Sequence, residues 1–301
     1  MRRYLELSRA PFFTAIITPA LLAAALAYRD TGSMNWVRFV LVMAGLVAAH
    51  AAANLFNDYF DYRLGADTAQ VKRTPFSGGS PHLVEGRERE STFLALALAS
   101  LAASAACGVA VMALLGDSFP PALGIGAAGV LLGVFYTAPP LKLTYRGLGE
   151  SAILLAFGVL PVLGVYYVLA ETFTLNAFLA SLPPGFLITN IILANEFPDL
   201  VSDREAGKRT LVVRLGTAVS RYVYLVLAAA AYALIVVFSI REIYGSWGFL
   251  GLTGLSLSSP AAAILWSRHS RAEELVPAQA MTILAHLVTG IALAAGIWIG
   301  A

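Results

Sequence analysis

Cysteine occurs once in the 301 residues, at Cys107 inside an apolar run, and the four histidines are not clustered. That excludes an intrachain disulfide and a Cys/His metal framework, and leaves Cys107 as packing. Charge is just as scarce. Only 13% of residues are charged and 58% are apolar, against about 25% and about 45 to 50% in soluble domains, so the chain reads as an integral membrane protein. A formal net charge of +2 without a basic cluster gives no nucleic-acid footprint. The head MRRYLELSR is not followed by a small-residue cleavage site, so the first apolar stretch is expected to be retained.

Long apolar runs are abundant. They recur near 11–28, 36–56, 91–115, 120–137, 148–170, 174–197, 217–240, 247–266 and 278–300, each about 20 residues and long enough to span as a helix. The expected fold is an all-α bundle of nine transmembrane helices around a central cavity, a single domain over 1–301. With a cytoplasmic N-terminus only Arg29, Arg38 and Arg241 lie outside, leaving 17 of the 20 Lys and Arg inside, a strong positive-inside bias. The C-terminus is then outside, and the polar loops near 64–90 and 199–216 cap a cytoplasmic mouth.

The densest polar chemistry is NLFNDYFDYRLGAD, Asn54 to Asp67. On a helix Asn54, Asn57, Asp58 and Asp61 share one face at i, i+3, i+4 and i+7, with Asp67 just beyond Gly65. Ionisable groups at the edge of a hydrocarbon layer are costly, and like charges on adjacent turns repel. A divalent cation offsets both, and carboxylate and amide oxygens are hard ligands suited to Mg²⁺. Alone, the stripe also fits a helix end whose acids lie among lipid headgroups. His50, four residues before Asn54, falls on the same face.

The following segment, TAQVKRTPFSGGSPHLVEGRERE, is too polar to span. Lys72, Arg73 and Ser77 are candidate diphosphate contacts, beside glycines whose amides can approach an anion. At the end of the fourth run, FYTAPPLKLTYRGLGE stops at Pro139 and Pro140. It offers Lys142 to a phosphate, while the rings of Tyr136 and Tyr145 suit a site that must steady a cation.

The second decisive stretch is NEFPDLVSDREAGKRTLVVRLG. Asn195, Asp199 and Asp203 recur at i, i+4 and i+8, Pro198 is placed to break the helix, and Arg204 and Lys208 follow. Each acid cluster ends the second span of a four-span half, so two pseudo-repeats plus a ninth helix are expected. Together the clusters describe a clamp for a diphosphate and its magnesium, with Asn57, Asp58, Asp61, Asp67, Asp199 and Asp203 as candidate ligands.

These two stretches resemble the UbiA family of intramembrane aromatic prenyltransferases, and the resemblance extends over nearly the whole chain. It implies nine helices around a cavity in which two Asp motifs hold a Mg²⁺-bound isoprenyl diphosphate under cytosolic cap loops. Asn57, Asp61 and Asp67 match the first motif, and Asp199 and Asp203 the second. Asp61, Asp199, Asp203 and Lys142 are then the expected catalytic groups, with His50, Asn54, Tyr136, Tyr145 and Asn195 near the ring or prenyl chain. Many members separate the last two acids of the first motif by three residues, whereas Asp61 and Asp67 are separated by five. The role of Asp67 therefore depends on how the chain turns after Gly65. This spacing, with DREAGKRTLVVRLG, resembles the branch that prenylates 1,4-dihydroxy-2-naphthoate in menaquinone synthesis. Hydroxybenzoate, another phenol or a glycerol phosphate are alternative acceptors. The expected partners are a polyprenyl diphosphate, an aromatic acceptor and membrane lipid, with no nucleic acid and no obligatory protein. A transporter also carries intramembrane acids, but its acids are expected near the bilayer midplane rather than together at one face.

Overall fold

A backbone immersed in hydrocarbon must satisfy its own hydrogen bonds, which leaves apolar runs of this length only the helix. The computed structural model describes residues 2–67 and 74–301, and no strand occurs among the described residues. Eight helical stretches among them are long and apolar enough to cross a membrane: Ala10–Thr31, Trp36–Leu64, Glu90–Phe135, Gly149–Ala170, Leu175–Glu205, Thr217–Ile240, Ser246–Arg268 and Val276–Gly300.

In chain order the α-helices begin with α1 (Arg2–Leu7), α2 (Thr14–Thr31) and α3 (Trp36–Leu64). The short α4 (Pro81–Val84) precedes α5 (Glu90–Leu115) and α6 (Phe119–Phe135). Then follow α7 (Gly149–Ile153), α8 (Leu160–Ala170), α9 (Leu175–Ala180) and α10 (Leu182–Glu205). The last are α11 (Leu211–Leu215), α12 (Thr217–Ile240), α13 (Leu255–Arg268) and α14 (Val276–Gly300).

The third membrane stretch contains two helices. Glu90 at the start of α5 lies 3.6 Å from Arg63 near the end of α3. At the far end of α5, the Leu114 carbonyl accepts from Arg38 at the start of α3, at 2.7 Å. After α6, Thr137 is back beside Asn57, whose amide donates to its hydroxyl at 2.6 Å. The chain therefore runs along α3 and returns, turning through Gly116–Ser118.

The alanine-rich α2 sits at the centre of the main core, its Ala20–Ala27 segment packed with Val162, Val165, Tyr166, Ile235 and Leu293. Large apolar side chains such as Val40, Val226 and Ile240 are exposed on the outside of the bundle, as a lipid-facing surface requires. Two ends are chemically distinct. At one, Arg38 pairs with Glu171 at 2.6 Å and Tyr28 stacks on Trp298 at 4.4 Å. At the other, Arg3 pairs with Glu88, Arg9 with Asp58, and the long polar loops gather.

The fold departs from the sequence expectation at two places on α10. Pro198 does not break its helix, since α10 runs unbroken from Leu182 to Glu205. Neighbouring helices can accommodate the one hydrogen bond a proline removes. The second cap is accordingly shorter than 199–216, because Asp199 and Asp203 are on the helix and the loop begins after Glu205.

Candidate active site

The last turn of α3 positions the first acids. Gly65 closes the helix with φ 83°, and the amides of Ala66 and Asp67 both donate to the Asp61 carbonyl, at 2.9 and 3.3 Å. This tight turn brings Asp67 back to the cavity wall that Asn57 and Asp61 also line. The five-residue separation is thus absorbed by the turn. Gly79 of the cap loop, at φ 77°, lies against Asp67, and a side chain there would run into the Asp67 carboxylate. Only glycine allows both that conformation and that approach.

The second acids stand on α10. Asn195, Asp199 and Asp203 line the same cavity, as the i, i+4, i+8 spacing predicts, together with Glu196 and Ser202. Ser77 of the cap loop hydrogen-bonds Asp199, tying the cap to this cluster. The chain then turns, and Thr210 caps α11 by accepting from the Val213 amide at 3.4 Å. Lys208, in that turn, reaches Asp61 at 2.9 Å and Asp203 at 3.3 Å.

The cavity enclosed by these groups has a volume of about 180 Å³. It continues into an apolar pocket of about 600 Å³ between α3, α5, α6 and α8, and His50, Ala53, Gly133, Ala156 and Phe157 belong to both walls. Ala156 and Phe157 lie in a π-helical segment, Leu154–Val159, that joins α7 to α8. Such widened turns are frequent at functional sites.

Electrostatics in the loops follows from crowding of like charges. Burial and the neighbouring charge of Asp61 push the Asp67 carboxyl up to about 8. Burial alone would lower the Lys208 ammonium, but Asp61 and Asp203 hold it well above its usual range. Arg9 is likewise raised against the effect of burial by Asp58 and then Asp67. The Tyr145 phenol is raised by burial and by Asp61, to which it donates at 3.3 Å.

Of the residues singled out from the sequence, His50, Asn54, Asn57, Asp61, Asp67, Ser77, Tyr136, Asn195, Asp199, Asp203 and Lys208 line the cavity. Asp58 does not. Its carboxylate pairs with Arg9 and is fully enclosed, so the polar face of α3 divides, one part to the cavity and one to the N-terminal segment. Lys142 is also outside the wall and lies over the Tyr145 ring at 5.4 Å. Arg204 is exposed and outside the wall. Lys72 and Arg73 lie outside the described residues. Five polar lining groups were not anticipated: Arg9, Thr144, Glu196, Ser202 and Thr210.

Among the described residues no three Asp, Glu, His or Cys side chains converge closely enough to hold a metal unaided. The donor set nevertheless fits a hard divalent cation that brings oxygens of a ligand with it. Carboxylates face one another from α3 and α10, and Asp199 Oδ1 is buried without a partner, which is costly unless a cation or donor completes it.

Residues 16–281 match the UbiA prenyltransferase family. A 1,4-dihydroxy-2-naphthoate octaprenyltransferase of Mycobacterium tuberculosis is 32% identical over 266 residues, 88% of this chain and 86% of that protein. Among solved structures, an apo UbiA homologue of Aeropyrum pernix superposes with a TM-score of 0.72 at 17% identity, covering 97% of this chain and 98% of the other. A UbiA homologue of Archaeoglobus fulgidus bound to DMAPP and Mg²⁺ gives 0.59 at 16% identity, covering 97% and 99%.

Proposed function

Because the chain belongs to the UbiA prenyltransferase family, we propose that it transfers an isoprenyl group from its diphosphate to an aromatic acceptor within the membrane. The acceptor we assign is 1,4-dihydroxy-2-naphthoate, on which the M. tuberculosis relative acts by name. The observation that carries this reading is the convergence of both acid clusters and Lys208 on one polar cavity that opens into an apolar pocket. A diphosphate head and an isoprenyl tail need those two environments side by side.

Asn57, Asp61, Asp67, Asp199 and Asp203 would hold Mg²⁺, an ion that the A. fulgidus homologue binds together with DMAPP. When bound, Mg²⁺ supplies charge neutralisation to the departing diphosphate. Lys208 and Arg9 add fixed positive charge at the cavity wall, which favours the developing negative charge in a poorly solvated site. The cap loop, held to the acids through Ser77 and Gly79, excludes water from the allylic cation. The rings of Tyr136 and Phe157 offer π faces to the same cation. The ring carbon attacks, and the naphthoate carboxylate leaves as carbon dioxide.

We read the α5–α6 hairpin as two crossings, giving nine in two four-helix halves plus α14, with a cytoplasmic N-terminus and active-site loops and an outside C-terminus. The return of the chain to Asn57 after α6 supports this, as does the positive-inside bias. Single cysteines at Asp117 and Arg209, both exposed, in a Cys107→Ala background test it. An impermeant thiol reagent outside whole cells should label the first and not the second. The reaction itself is tested by assaying purified protein with several prenyl diphosphates against naphthoate, hydroxybenzoate and glycerol phosphate acceptors. Transfer to glycerol phosphate alone would overturn the aromatic assignment.

A further inference from the structure

The cavity contains a carboxyl group that the diphosphate clamp does not use. Glu196 lies on α10 three residues before Asp199, on the face that carries Asp199 and Asp203, one turn further from the loops, and it lines the cavity. Both it and Glu150 of α7 are buried, at 5% and 6% exposure. Their side chains hydrogen-bond each other. Two carboxylates cannot do so without a proton between them, because an ionised carboxylate has no donor. No Lys or Arg forms an ion pair with either among the described residues. Their other partners are backbone amides at the start of α11: Leu211 donates to Glu150 at 2.5 Å and Val212 to Glu196 at 3.5 Å. The other ionisable groups facing the pair are Asp203 and the Tyr136 phenol, with Lys208 beyond Asp203.

Resting on the aromatic prenyl transfer proposed above, we propose that Glu196, backed by Glu150, is the catalytic base that takes the hydroxyl proton of the aromatic acceptor as its ring attacks. A buried carboxyl pair sharing one proton has room for a second, and the amides of α11 hold it in place without neutralising it. The acceptor O–H breaks and its proton goes to the Glu196 carboxylate, while that electron pair becomes the carbonyl and drives the carbon bearing the carboxylate to bond the allylic carbon. The allylic C–O pair leaves with the diphosphate. Loss of carbon dioxide returns an electron pair to the ring oxygen, which recovers the proton from Glu196. The pair thus lends a site for a proton and is unchanged after turnover. With an acceptor that keeps its carboxylate, Glu196 would first return its proton to the carbonyl oxygen and then take the ring proton, whose C–H pair restores the aromatic ring.

A purely structural role for the pair, anchoring α11, makes different predictions, so Glu196→Gln and Glu150→Gln are compared with wild type as monodisperse protein. Binding of a prenyl diphosphate with Mg²⁺, read by calorimetry, should be unchanged within about twofold in both. Transfer by Glu196→Gln should fall by about 100-fold or more at neutral pH, the usual range for a lost general base. Its rate should then climb with pH as the acceptor hydroxyl ionises by itself, and a ring-fluorinated acceptor with a more acidic hydroxyl should recover at least about tenfold. Glu150→Gln, which removes the carboxyl that shares the proton, should lower the rate less than Glu196→Gln and displace its acid limb. Transfer by Glu196→Gln above about a third of wild type, or a loss of diphosphate binding together with rate, would overturn the assignment. Those results leave the reaction intact so long as wild type transfers to an aromatic acceptor and Asp199→Asn does not. Absence of aromatic transfer by wild type is failure of the underlying reading instead.

Discussion

The Lys208 ammonium sits 2.9 Å from Asp61 and 3.3 Å from Asp203, joining an acid of α3 to an acid of α10 across the cavity. Without it Asp61 and Asp203 would face each other with no cation paired to either among the described residues, a costly arrangement where water is scarce. The lysine occupies the place of positive charge that the acids demand, and a metal-bound diphosphate would share that demand.

Lys208→Met should therefore destabilise the metal-free protein more than the metal-loaded one. Removing one partner of a buried ion pair costs about 3 to 5 kcal/mol, so a clear fall in melting temperature is expected in EDTA. Mg²⁺ with a non-hydrolysable prenyl diphosphate should restore most of it. Equal destabilisation with and without metal, measured in one detergent, would show that Lys208 does not compete for the place of the cation.

Asp61→Asn and Asp199→Asn should each lower prenyl transfer below about a tenth of wild type, a barrier change above about 1.4 kcal/mol, while folding survives. The double variant should be little worse than either, since residues acting as one unit are non-additive. Arg271→Gln is the control, because Arg271 is exposed and pairs with Glu274 on the surface at 3.1 Å. Initial rates at saturating Mg²⁺ decide the matter.

Asp67 adds a pH dependence whose sign is fixed. Its carboxyl, pushed up to about 8 by burial and Asp61, is protonated at pH 6 to 7 in the metal-free protein. A cation bound there must displace that proton. Apparent Mg²⁺ affinity should then rise with pH by up to about tenfold per unit, level above about 8, and be accompanied by proton release in calorimetry across buffers of different ionisation enthalpy. Asp67→Asn should flatten the slope. A slope unaltered by that substitution would assign the displaced proton to another group.

The helical period made Asn57, Asp61, Asp199 and Asp203 legible, because spacing of three and four residues on one face survives into the fold wherever the helix is intact. Asp58 was misplaced by the same rule: i+4 from Asn54 is adjacent, yet α3 turns it to Arg9, a residue of the short head whose charge read as topology. That contact spans 49 positions in sequence and leaves no local signal. Glu196 and Glu150 were hidden for a related reason, since Glu196 stands beside the more regular Asp199 and Asp203, Glu150 is a lone acid at the edge of an apolar run, and only the packing of α7 against α10 pairs them. Pro198 misled because a proline's missing amide predicts a break only where no neighbouring helix supports the turn.

The wall of the apolar pocket includes a glycine that packing does not require. Gly126 of α6 lines it, and a Cβ built there meets nothing within 4 Å. Packing therefore does not demand glycine at this position, and a larger side chain can enter the pocket without displacing the backbone. Gly126→Phe should fold normally, since Phe is the better helix former, but should take up room an isoprenyl tail needs. KM for a long-chain prenyl diphosphate is expected to rise by about tenfold, worth about 1.4 kcal/mol, with dimethylallyl diphosphate unaffected because its short tail stays near the acids. Gly124 supplies the control: it too has open space around its Cα but does not line the pocket, so Gly124→Phe should leave both substrates unchanged. If Gly126→Phe raises KM equally for the short and the long diphosphate, the substitution acts on the head-group site, and the tail lies elsewhere.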